Sequence, residues 1–164
     1  MKQFCIVDGR HAIDLNEVQW VEFYEDPVTN DGKYCVKMLF KGSGVYHMNI
    51  PKREYDKLAQ KEYLSAKLYY DLGSYLGNNY LSAEIVAKNA LKNYPTNKYQ
   101  EDLNWIILQA KYQQALNSIE EKKIERARET EDEFYSFIAE FPDSKHRSAA
   151  ERIGKEVKKL LNKE

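Results

Sequence analysis

Short runs rich in β-branched and aromatic residues, some of them with partly alternating apolar and polar positions, lie along residues 1–50 and are typical of β-strands. The clearest runs are Val18–Tyr24 and Tyr34–Phe40, and turn signals such as Asp31-Gly32 separate the apolar segments. This pattern predicts a small antiparallel β-meander of four or five strands. Gly42-Ser43-Gly44 admits a second interpretation as an engineered linker, although apolar runs on both sides favour a hairpin turn.

The hydrophobic period changes to three and four residues after Pro51, which predicts helices through the rest of the chain. Breaks at Gly77-Asn78-Asn79, at Pro95 and at Pro142 separate helices near residues 80–94, 99–120, 125–140 and 145–162, after a first helix that begins near Pro51. The predicted fold class is therefore α+β: an N-terminal antiparallel β-meander followed by an all-α helical-repeat region. We expect a β module at 1–57, and two tetratricopeptide-like helix pairs with a C-terminal capping helix at 58–164.

Two helix ends have similar sequences, and this similarity indicates an internal repeat. Residues 90–98 and 137–145 each combine an amphipathic helix end, an aromatic residue, a proline and a polar pair. Counting back from each proline places small or aromatic packing residues at equivalent positions: Ala83, Ala87 and Ala90 in the first repeat, and Thr130, Phe134 and Phe137 in the second. The excess length of the second repeat lies in 117–127, which predicts a helix extension or an exposed loop.

The first helix of the second repeat carries Trp105, Leu108 and Tyr112 at the W-x-x-L-x-x-x-Y spacing of tetratricopeptide repeats. Residues 60–160 resemble the C-terminal part of the BamD family, the tetratricopeptide lipoproteins of outer-membrane β-barrel assembly, in their Bacteroides-type forms. The resemblance rests on these stretches: Lys61–Gly73, Ala90–Pro95, Ala110–Tyr112 and Glu140–Lys145. It implies a non-catalytic protein-interaction scaffold that docks onto the periplasmic domains of the barrel-assembly protein.

The chain departs from this family in its amino-terminal half. Members of the family share a lipidated N-terminal cysteine and about five repeats. This chain carries two repeats, and no apolar stretch precedes Cys5. The resemblance implies the periplasmic face of the outer membrane, yet without a signal peptide or lipobox the sequence as written predicts a cytoplasmic protein. No run is long enough for a membrane span, so we expect no direct membrane insertion.

Charge argues against nucleic acid as a partner. Lys and Arg total 25 and Asp and Glu total 26, which leaves no excess of positive charge for phosphates. An alternative function, a regulatory or nucleic-acid-binding β module with a helical dimerisation arm, rests on dispersed basic residues that neighbouring acidic residues offset. The basic residues are Arg10, Lys33, Lys37 and Lys41. Cys5 and Cys35 are expected to be small buried hydrophobic residues, with a disulfide between neighbouring strands as the alternative.

Candidate binding residues follow from the position of each first helix in a tetratricopeptide pair, whose inner surface forms a concave groove. The predicted groove residues are Lys67, Tyr70, Ser74, Asn78, Leu103, Ile106, Ala110, Gln113 and Gln114. Tyr70 and Ile106 have a second interpretation, as packing residues against the neighbouring helix. The three histidines are scattered and no catalytic motif is present, so we expect no metal, no cofactor and no enzyme activity.

Overall fold

The computed structural model describes residues 4–7, 11–14, 18–25, 33–40, 45–75 and 77–162, with side chains from residue 52 onward. The chain divides into two compact units. One comprises Met1–Leu58 with Asn93–Thr96, and the other comprises Ala59–Lys92 with Asn97–Glu164. The second unit holds the helical repeats, and the candidate site lies within it.

The described amino-terminal backbone forms antiparallel strands. Their bounds are Phe4–Val7 (β1), His11–Asp14 (β2), Val18–Glu25 (β3), Lys33–Phe40 (β4) and Val45–Pro51 (β5). β1 pairs with β2, and β3, β4 and β5 form a separate three-stranded sheet in that order. The pairing of β3 with β4 shifts register between Val18 and Trp20. Pro51 ends β5, so the helix that follows begins one residue later than its proline predicts.

The described residues from 52 onward form five α-helices. These are Lys52–Leu72 (α1), Asn79–Asn93 (α2), Gln100–Leu116 (α3), Glu120–Glu140 (α4) and Arg147–Leu161 (α5). The insertion in the second repeat extends a helix: α4 has 21 residues and its counterpart α2 has 15. Glu120 and Glu121 in the first turn of α4 favour this extension, because carboxylates stabilise the positive end of the helix dipole.

The predicted fold class, α+β with an N-terminal meander, was wrong. The part of the chain whose side-chain packing the structure describes is all-helical. The described strands pair as two separate sheets, because pairing stops between β2 and β3. The predicted turns at Asp31-Gly32 and Gly42-Ser43-Gly44 lie outside the described residues, as do the side chains of Cys5 and Cys35 and of the basic residues Arg10, Lys33, Lys37 and Lys41. The alternation of apolar and polar residues in these short strands therefore did not determine the fold class. Small sheets are stable only when their apolar face packs against another element, and alternation does not show that such packing exists.

Two clusters of buried side chains form the core of the helical unit. The first joins α1, α2 and α3 through Ala66, Ala83, Ala87, Ala90 and buried apolar residues of α3. The second joins α3, α4 and α5 through Leu108, Ala127, Phe137, Ala150, Ile153 and Val157. The two clusters repeat along the chain, so the five described helices pack in the manner of a helical repeat, compatible with a tetratricopeptide-like fold.

The loops that follow α2 and α4 have the same geometry. The backbone N–H of Tyr99 donates to Asn97 Oδ1 at 2.6 Å, and that of His146 donates to Ser144 Oγ at 2.9 Å. The ring of Tyr99 stacks on Tyr63, with centroids 4.7 Å apart and an interplanar angle of 7°. His146 stacks on Trp105 in the same way, at 4.9 Å and 7°. These matched contacts show that the repeat in the sequence is also a repeat in structure.

Gly154 allows α5 to approach α4 closely, because an added Cβ would lie 2.8 Å from Cε1 of Phe134. We expect Gly154→Ala to destabilise the protein by about 1 kcal/mol, since overpacking outweighs the gain in helix propensity. Urea unfolding measures this change. Adding Phe134→Leu should recover part of the loss, whereas additive losses in the double variant would contradict the close contact as its cause.

Candidate protein-binding groove

A groove with a volume of about 200 Å³ runs between α1, α3 and α5, the first helix of each pair and the terminal helix. Its lining consists of Tyr70 from α1, Trp105, Gln109, Tyr112 and Gln113 from α3, and Ala149, Arg152, Ile153 and Glu156 from α5. On α3, the spacing of residues 105, 109 and 112 places three of these side chains on one face. The groove therefore combines aromatic walls with amide and charged groups.

Tyr112 and Glu156 form a polar contact across the groove. The hydroxyl of Tyr112 donates a hydrogen bond to Oε2 of Glu156. Burial and this bond to the carboxylate raise the pKa of Tyr112 to about 12, so the phenol keeps its proton at neutral pH. The pair joins α3 to α5 at this end of the groove.

Tyr70 forms the opposite wall. Its ring packs edge-on against Tyr80 with centroids 5.7 Å apart, and its hydroxyl shares a hydrogen bond with the side chain of Gln113. Burial raises the pKa of Tyr70, and Tyr80 and Asp71 add to this effect, whereas the bond with Gln113 opposes it. The tyrosine is thus held in place by contacts to both α2 and α3.

Arg152 differs from Glu156, the other charged residue of the lining, because among the described residues it has no hydrogen-bond or ion-pair partner. Its side chain is exposed. Glu156 lies four residues further along α5, yet no ion pair joins the two within the described part of the chain. The groove thus presents a guanidinium with no ion-pair partner among the described residues, a group suited to carboxylate recognition.

Trp105 is fixed by the loop between α4 and α5. His146 stacks on its indole, and Nε2 of His146 lies 3.2 Å from Oδ1 of Asp102. Nζ of Lys145 lies 2.7 Å from the same carboxylate oxygen. Burial raises the pKa of Asp102, but hydrogen bonds from Lys145 and His146 outweigh it and hold that pKa below its ordinary value of 3.8.

Asp102→Asn should lower the free energy of unfolding by about 1 kcal/mol at pH 7. The depressed pKa stabilises the fold above pH 3.8, and this contribution is lost as the pH falls through the folded-state value. The difference from the parent protein should therefore shrink in acid. Urea unfolding at several pH values measures it, with exposed Asp132→Asn as the control; a difference that grows below pH 3.8 would contradict the assignment.

The predicted binding residues separate into four groups. Tyr70 and Gln113 line the groove, whereas Ser74, Asn78 and Gln114 line a second pocket of about 250 Å³ with Gly77, Tyr80, Asn117 and Arg126. Lys67 is exposed and forms an ion pair with Asp71, in which Nζ of Lys67 lies 2.6 Å from Oδ2 of Asp71. Ile106, Leu103 and Ala110 lie in the core of the first cluster, at 5%, 0% and 0% exposure.

Sequence reasoning missed most of the groove. Trp105 and Tyr112 were matched to the repeat consensus but not chosen as binding residues, and Gln109, Arg152 and Glu156 were not selected. The spacing of residues 105, 109 and 112 was the available signal, since it places an amide between two aromatic residues on one helix face.

The described residues contain no group of three or more His, Cys, Asp or Glu side chains arranged to hold a metal ion. Among the same residues, no helix is both long and apolar enough to cross a membrane. Comparison of the sequence with protein-family profiles gave no match, and comparison with curated proteins gave none either.

Proposed function

We propose that this protein is a non-catalytic protein-interaction scaffold that binds a partner in the groove between α1, α3 and α5. The observation that carries the proposal is the groove itself, with Tyr70, Trp105 and Tyr112 beside the amides of Gln109 and Gln113. Aromatic side chains supply contact area, and side-chain amides can both donate to and accept from a peptide backbone. An extended segment of a partner protein fits this combination.

The resemblance to the C-terminal part of the BamD family supports a more specific form of the proposal. In this form the partner is the barrel-assembly protein, bound through its periplasmic domains, and the scaffold acts at the periplasmic face of the outer membrane. The packing of the described helices is compatible with a tetratricopeptide-like fold. The same packing suits other protein partners, so the partner must be tested directly.

Binding of the purified full-length chain to the periplasmic domains of a Bacteroides-type barrel-assembly protein tests this partner. We expect saturable binding by calorimetry, and we expect Gln109→Arg to weaken it at least about tenfold, because the larger charged side chain fills the groove. Asn89→Arg is the matched control, since Asn89 is exposed on α2 and no residue of α2 lines the groove. The contact of α2 with the lining is that of Tyr80 with Tyr70.

The outcomes separate the partner from the binding surface. Binding that Gln109→Arg and Asn89→Arg leave equally intact would place the interface outside the groove. No binding to the periplasmic domains, with normal binding of an unrelated tetratricopeptide protein to its own peptide in the same assay, would remove the barrel-assembly partner.

A further inference from the structure

We infer that the groove selects an extended peptide segment with one acidic side chain at the α5 end, where Arg152 receives its carboxylate. This inference rests on the proposed function and specifies the chemistry of its ligand. It is carried by charge complementarity: Arg152 lines the groove, is exposed, and has no ion-pair or hydrogen-bond partner among the described residues. A guanidinium matches a carboxylate through two parallel hydrogen bonds.

The other cations near the groove are differently placed. Lys67 is paired with Asp71, and Lys145 is paired with Asp102, so these two are already compensated. Arg152 is the one cation among the residues that line the groove. The lining thus offers a single guanidinium, unpaired among the described residues, beside the one carboxylate of Glu156.

Glu156 limits the selection to a single acidic position. Its carboxylate accepts the Tyr112 hydroxyl and lies one helical turn from Arg152. A second acidic residue directed at Glu156 would meet like charge, whereas a backbone N–H or an uncharged residue would not. The aromatic walls of Tyr70 and Trp105 supply apolar surface beside the charged site. We therefore expect one acidic residue with uncharged neighbours, rather than an acidic run.

Two blocked peptide libraries test the inference on the full-length chain. They share randomised uncharged positions and differ only in Glu or Gln at one fixed position, and a third peptide set carries a run of Glu. Fluorescence anisotropy should show the Glu library binding about tenfold more tightly than the Gln library, as expected for a charged hydrogen bond. It should also show no advantage for the Glu run.

Arg152→Gln should abolish the preference for Glu over Gln, and Arg152→Glu should create a preference for a library with Lys at the fixed position. Arg128→Gln is the matched control, because Arg128 is exposed on α4 and does not line the groove. Circular dichroism confirms that each variant remains folded. The charge reversal keeps the test informative, since a gain of Lys preference cannot come from unfolding.

Three outcomes would overturn the inference. These are equal binding of the Glu and Gln libraries, tightest binding by the Glu run, and retention of the Glu preference in Arg152→Gln. Each of them leaves the scaffold proposal standing if the periplasmic domains still bind and Gln109→Arg still weakens that binding. Failure of both libraries and of the periplasmic domains would instead remove the proposed function itself.

Discussion

Phe137→Ala should lower the free energy of unfolding by about 3–5 kcal/mol, the range for removing a buried aromatic side chain. Phe137 is 2% exposed and lies in the cluster that joins α3, α4 and α5. Its ring packs against Trp105 with centroids 5.8 Å apart and against Phe141 at 5.4 Å. The loss is large because the cavity would open between rigid helices, which can close it only in part.

Tyr135→Ala is the control for this variant, since it removes an aromatic side chain from the same helix at a position that is 50% exposed. It gives up contacts with Phe134 and Lys158, so we expect a loss of about 1 kcal/mol or less. Urea unfolding followed by circular dichroism measures both. If Phe137→Ala lowers the free energy of unfolding by as little as Tyr135→Ala, the second cluster contributes little to stability.

The Phe137 variant also connects the core to the groove. Trp105 lines the groove and contacts Phe137 on one side and His146 on another. Loss of the Phe137 ring should therefore loosen the indole as well as weaken the core. Binding by the groove should fall in Phe137→Ala even under conditions where the helices remain folded, because a mobile wall costs more to order on binding.

The helices and their repeat could be predicted from the sequence because helical periodicity and proline positions are local signals. The packing positions counted back from Pro95 and Pro142 are largely confirmed: Ala83, Ala87, Ala90, Thr130 and Phe137 are buried. Helix ends were less accurate. The predicted break at 120–125 falls inside α4, because mixed Glu and Lys residues are equally compatible with a loop and with a solvated helix surface.

The groove was harder to predict because two faces of α3 carry apolar or aromatic residues. Residues 103, 106 and 110 face the core, whereas 105, 109 and 112 face the groove. Neighbouring positions on a helix differ by about 100°, so an error of one residue in assigning the face exchanges core for groove. Hydrophobicity does not separate these faces, since Trp105 and Ile106 suit either one. The pairing state of Arg152 is a three-dimensional property that no local pattern contains.

Ala87→Phe is expected to destabilise the protein by about 3 kcal/mol, the upper end of the usual cost of overpacking. The substitution gives the first repeat the residue that the second repeat carries at the equivalent position, Phe134. The two repeats fill this position differently. Ala87 is 0% exposed in a cluster built from alanines of α1, α2 and α3, whereas Phe134 is partly exposed beside Gly154. An aromatic ring is accommodated where Gly154 faces it, whereas the equivalent position in the first cluster holds the buried side chain of Ile107.

Ile85→Phe separates this packing effect from the intrinsic preference of phenylalanine in a helix. Ile85 lies in the same helix and is 50% exposed, so its replacement should change stability by no more than about 0.5 kcal/mol. Thermal and urea unfolding of both variants measure the difference. If Ala87→Phe is as stable as Ile85→Phe, the first repeat has room for an aromatic side chain, and close helix approach through small residues does not explain its alanines. If the predicted difference is found, the two repeats share a backbone arrangement but fill their cores by incompatible means, so their sequences cannot be exchanged position by position.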